Sequence, residues 1–123
     1  SPAYFCNISS DVKYSEIVIF NSHQKLWFKQ FYSKCGAIKS YCSSVNATEE
    51  NLKKLFYYNW SKDNFNILSQ KGISIDIFFG SDDKILQIDD AIEFFKPFVR
   101  QIFLIKNASH TLKNLPNCHS ELV

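Results

Sequence analysis

The sequence predicts an α/β fold, in which a mainly helical segment precedes a strand–helix–strand unit. Three observations point there. Ile73-Ser74-Ile75-Asp76-Ile77-Phe78-Phe79 is short, β-branched and aromatic, and Gly80 ends it, which reads as a strand. Gln101-Ile102-Phe103-Leu104-Ile105-Lys106 has the same texture. Between them, Asp89 or Asp90 is expected to cap a helix through Ala91, Ile92, Phe94 and Phe95, with Pro97 helping to end it. Strand, helix and strand within about 34 residues imply a parallel pair with a right-handed crossover. The near-continuous apolar character of both strands predicts a sheet covered on both faces.

Residues 1–10 read as the end of a strand running into a loop, with Ala3, Tyr4 and Phe5 followed by the turn formers Asn7, Ser9 and Ser10. Residues 11–72 read as helical. From Ser22 to Lys34 the apolar residues Leu26, Trp27, Phe28, Phe31 and Tyr32 gather on one side of a helical wheel, with Lys25 and Lys29 elsewhere at i, i+4; Gly36 stops that helix. Thr48-Glu49-Glu50 opens another, its acids placed where the macrodipole favours them, with Leu52, Leu55, Phe56 and Trp60 at helical spacing. Ser61 is expected to cap a shorter helix that carries Phe65 and Leu68 and closes at Gly72. The strand–helix–strand unit then spans residues 73–113, and residues 114–123 form a polar tail.

A length of 123 residues fits one domain or part of one, and the absence of Met predicts a piece of a longer chain. Hydrophobic residues make up 46%, enough for a core. No run approaches the roughly 20 apolar residues of a membrane span, and the first residues lack a signal peptide's basic and apolar regions. A net charge of +2 gives no argument for nucleic acid. Cys6, Cys35, Cys42 and Cys118, together with sequons at Asn7, Asn46, Asn59 and Asn107, could suggest a secreted domain. The cysteine spacings match no disulfide framework or zinc pattern, so reduced thiols in a cytoplasmic protein are expected, with no metal and no cofactor.

The chemistry is expected at two loops. Gly80-Ser81-Asp82-Asp83-Lys84-Ile85 follows the first strand and Asn107-Ala108-Ser109-His110 follows the second. In a parallel sheet, functional groups gather beyond the carboxyl ends of the strands. Asp83 and His110 therefore emerge at one edge although 27 positions apart. A carboxylate there would accept the imidazole Nδ1–H and fix the tautomer, leaving Nε2 to deprotonate a nucleophile. His23 and His119 sit in no comparable setting and are expected to be solvated.

An acid after one strand and a histidine after the next resembles the α/β-hydrolase superfamily. Ser1-Pro2-Ala3-Tyr4-Phe5 resembles the segment that leaves the strand after its nucleophile elbow. Phe56-Tyr57-Tyr58-Asn59-Trp60, Ile67-Leu68-Ser69-Gln70-Lys71-Gly72 and Ile92-Glu93-Phe94-Phe95-Lys96-Pro97-Phe98 narrow the likeness to an epsilonproteobacterial family of pimeloyl-[acyl-carrier protein] methyl ester esterases of biotin synthesis. This resemblance, from Ser1 to about residue 113, implies the C-terminal part of a hydrolase and a helical cap over residues 11–72. It selects Asp83 over Asp82, because the superfamily carries its acid at the third position after the glycine. It implies an acyl channel lined by Trp27, Phe28 and Phe31, and an acidic carrier protein met by Lys25, Lys29, Lys34 and Lys39. The residues by themselves fit core packing and a solvated face equally well.

Two departures stand out. There is no G-x-S-x-G elbow, so the serine and oxyanion hole are expected on the N-terminal part of the same hydrolase, upstream of Ser1. Ser109 also stands where the superfamily commonly has Gly. Another acyl ester or thioester hydrolase of this fold, or a non-catalytic carrier-protein-binding domain, are the competing expectations.

Overall fold

The computed structural model describes residues 1–36 and 47–112. Residues 1–5 form no strand, contrary to expectation, yet Tyr4 and Phe5 are buried. Helix α1 spans Ser10–Ser22, and the Ser9 hydroxyl accepts the Val12 N–H at its start. Helix α2, Gln24–Cys35, follows after His23 and stops at Gly36, whose φ of 67° is the left-handed cap conformation. Helix α3, Glu49–Phe56, is capped by Thr48 Oγ1 through the Asn51 N–H, and Glu49–Lys53 and Glu50–Lys54 pair along its surface. Helix α4 runs over Lys62–Gln70. Strand β1, Asp76–Gly80, helix α5, Ile88–Phe95, and strand β2, Gln101–Ile105, complete the described elements.

The expected strand–helix–strand unit is present: β1 and β2 are parallel, with Asp76 opposite Gln101 and Gly80 opposite Ile105. At the start of both strands Arg100 grips the Asp76 carboxylate with two guanidinium nitrogens, and its backbone N–H donates to Ile75 O at 2.8 Å. The register is thus pinned at the end opposite the loops that follow β1 and β2. Mixed helices with a small parallel sheet make the architecture α/β.

α1 packs on α2 and α3 through Ile17, Phe20 and Trp27, with Phe20 and Trp27 in edge contact. Phe56 meets Phe5 edge-on. A second group of rings, Tyr4, Trp60, Phe65 and Phe98, packs around Phe95 and Phe94 of α5. Phe79 and Phe95 are fully buried, their ring centres 6.3 Å apart. No described helix is long and apolar enough to cross a membrane.

Several expectations are corrected. α5 starts one turn early, with Gln87 as its N-cap; Asp89 and Asp90 lie in the first turn and cap nothing. Ser61 occupies the cap position of α4 without a side-chain cap bond. Leu26 and Leu55 face outward and Trp60 lies beyond α3. The sheet is not covered on both faces among the described residues. Ile77 and Phe79 enter the core, while on the opposite face Phe78 (40% exposed) stacks on its register partner Phe103 (38% exposed) at 4.7 Å. Alternation sends neighbouring side chains to opposite faces, and the helices described here cover one.

Candidate functional site

β1 and β2 end side by side, and their loops are stitched together by backbone. Ser81 N–H donates to Ile105 O and Asp82 N–H to Ala108 O, both at 2.9 Å, while Asn107 N–H donates to Ser81 Oγ at 2.7 Å. Asn107 takes a left-handed turn, φ 57°, that reverses the chain and leaves Ala108 fully buried. The close approach depends on Gly80: a Cβ there would overlap the carbonyl oxygens of Ala108 and Ser109.

His110 Nδ1 lies 2.7 Å from Asp83 Oδ2. A carboxylate only accepts, so Nδ1 carries the proton, and in the neutral ring Nε2 presents the lone pair. The other oxygen, Oδ1, accepts from the Ile85 and Leu86 N–H groups at 2.8 and 3.1 Å, which fixes the carboxylate plane. Burial of Asp83 pushes its pKa up, but the His110 bond, the two backbone donors and the His110 charge outweigh it and hold the group below the usual aspartate range. The Asp83 side chain is inaccessible to solvent, whereas the His110 ring retains 18% exposure. Among the described residues nothing bonds Nε2. Asp82, the neighbouring candidate, is exposed, and its carboxylate makes no bond to His110.

The histidine loop is also held from the helical side. Thr111 N–H donates to Cys35 O at 3.1 Å, Thr111 Oγ1 donates to Gly36 O at 3.2 Å, and Ser109 Oγ lies 3.1 Å from Thr111 Oγ1. The Ser109 side chain occupies the space that a Cβ on Gly36 would fill. The Ser1 backbone nitrogen donates to His110 O at 3.3 Å, and Ser1 Oγ accepts from Gly80 N–H, laying the first residue along both loops.

Of the predicted aromatic wall, Trp27 and Phe31 stack at 4.8 Å and line a cavity of about 160 Å³ beside the acid loop. Phe28 does not line it, because it packs against Phe20 and Tyr32. Lys25 and Lys29 are exposed on α2. Lys34 parts from them: it lines the same cavity, 4.0 Å from Glu16 of α1. Lys39 lies outside the described residues, as do His119, Cys42 and Cys118.

Sequence reading missed Lys13, a charged residue only 7% exposed at the cavity wall, and Glu16, whose Oε2 accepts the Trp27 indole N–H at 2.7 Å. A signal was present. Lys13, Ile17 and Phe20 stand at i, i+4 and i+7, so the lysine occupies a core-facing helical position. The chain matches no protein-family model, and no significant match to a curated protein or to a solved structure was found.

Proposed function

We propose that Asp83 and His110 are the acid and base of a serine carboxylesterase of α/β-hydrolase type, acting in the cytoplasm with a serine and oxyanion hole from a segment upstream of this chain. The observation that carries the reading is the 2.7 Å bond from Nδ1 to a carboxylate fixed by two backbone donors, with no bond to Nε2 among the described residues. That arrangement sets the tautomer and stabilises the imidazolium formed when Nε2 accepts the serine proton. The serine oxygen attacks the ester carbonyl, and His110 passes the proton to the departing alcohol as the acyl-enzyme forms. Water then attacks with His110 as base, and the carboxylic acid and serine are regenerated.

The preferred substrate is the methyl ester of a pimeloyl group on its acyl-carrier protein, with residues 11–72 as the cap and the exposed Lys25 and Lys29 meeting the acidic carrier. A non-catalytic carrier-binding domain would have no use for so closely oriented an acid and base. The test is fluorophosphonate labelling of the intact gene product, read by mass spectrometry. One labelled serine upstream of Ser1, with labelling lost in His110→Gln, is expected. Labelling of a serine within residues 1–123, or of none, overturns the reading.

A further inference from the structure

The cavity between α1, α2, α3 and the acid loop carries charge that an uncharged ester does not call for. Its apolar wall is Phe5, Trp27, Phe31 and Phe56. Among the described residues its ionic groups are Lys13, Lys34 and Lys84 against Glu16. Lys13 is the unusual one. At 7% exposure it is more than nine-tenths buried, and its ammonium lies 5.0 Å from the centre of the Tyr57 ring. No described carboxylate comes within ion-pair distance of Lys13 or Lys84. Glu16 is already engaged by the Trp27 indole and approached by Lys34. An aromatic face attracts an ammonium but does not neutralise its charge. The wall therefore presents a net surplus of two positive charges over a benzene-sized apolar space, room for roughly six carbon atoms.

We propose that this cavity is a binding site for a short aliphatic chain ending in a carboxylate, the carboxylate seated between Lys13, Lys34 and Lys84 and the chain laid against Trp27 and Phe31. Neither Asp83 nor His110 lines the cavity, so binding is separable from ester turnover.

The test is calorimetric titration of the intact gene product with hexanoate and with 1-hexanol at neutral pH, with Trp27 fluorescence recorded in parallel. Hexanoate is expected to bind at least tenfold more tightly than the alcohol. Its fluorescence change should disappear in Trp27→Phe, which places the ligand. Lys13→Met keeps the apolar volume, and its expected effect is to bring the two affinities together. Should that variant fail to fold, the exposed double substitution Lys34→Gln/Lys84→Gln decides, with at least a threefold loss of the hexanoate preference expected. Monomethyl adipate separates the two sources of such a group: affinity equal to hexanoate indicates the free end of a longer acyl chain, and weaker binding indicates a free acid. Equal affinity of wild type for hexanoate and hexanol overturns the proposal. So does a preference untouched by the lysine substitutions. Neither outcome depends on whether the protein hydrolyses esters.

Discussion

Gly36→Ala tests whether the helical segment holds the histidine loop in place. Gly36 has a φ of 67°, where a Cβ crowds the backbone and costs an ordinary residue about 1–2 kcal/mol. The second cost is contact. A Cβ at this position would stand 2.5 Å from Ser109 Cβ, against 3.4 Å for ordinary van der Waals contact. Ser109 Oγ can rotate away, but Ser109 Cβ moves only with its backbone, so the loop must shift by about 0.9 Å. Overpacking of this kind adds roughly 1–3 kcal/mol. His110 is the next residue, and a misplacement near 1 Å is worth on the order of 100-fold in rate.

The expected result is a fall of about 2–5 kcal/mol in urea-unfolding free energy, with about 100-fold slower hydrolysis of a small soluble ester. Ser109→Gly in the same chain removes the clash and leaves the backbone strain. Activity should then return to within about threefold of wild type, while about 1–2 kcal/mol of the stability loss persists. If the double variant is as slow as Gly36→Ala, the side-chain overlap is not what moves the histidine, and the reasoning fails.

Asp83→Asn keeps the volume but offers His110 an amide that favours the wrong tautomer; kcat should fall by about 10⁴ with KM little changed, measured on a small ester. The same variant reports on pH. The folded-state pKa of Asp83 lies below the usual 3.8, so its stabilising contribution is complete above that value and is lost as pH falls through the folded pKa. The stability gap between wild type and Asp83→Asn should therefore shrink below about pH 3.8 in acid-unfolding curves, and a gap that widens there would contradict the assigned hydrogen bond. Reversing the exposed Lys25 and Lys29 to Glu should raise KM for a carrier-bound ester and spare a small soluble ester, an effect that added salt weakens. Equal damage to both substrates would point to misfolding instead.

The two loops were legible because parallel strands place their carboxyl ends together whatever else the fold does. Two short apolar runs and a helix of the right length sufficed to bring Asp83 and His110 to one edge. α1 had no distinct outline in the sequence because its apolar residues fall on all sides: Val12, Val18 and Ile19 are exposed while Ile17 and Phe20 are buried. The N-terminus of α5 was misplaced because Asp83 uses its own carboxylate to turn the chain through Ile85 and Leu86, and the helix begins at Ile88 without needing an acidic cap. The uncovered sheet face left a trace, since Asp76 and Gln101 share the side of Phe78 and Phe103, but that aromatic pair masked the alternation. Lys34 left its supposed patch through Glu16, a partner eighteen positions earlier on another helix. The fit of Gly36 to Ser109 spans still more of the chain and leaves no local trace.

That last pair has a consequence for recognising relatives of this protein. Positions 36 and 109 share one side chain's worth of room, so a sequence that places Gly before its histidine is released from the steric demand at position 36, which then has only its left-handed backbone to satisfy and admits Asn. The two sites are expected to trade bulk across related sequences, with glycine at one, the other or both and a side chain at both excluded. Position 80 has no such exchange open to it, because the obstruction there is the carbonyl backbone of Ala108 and Ser109, which every residue type carries.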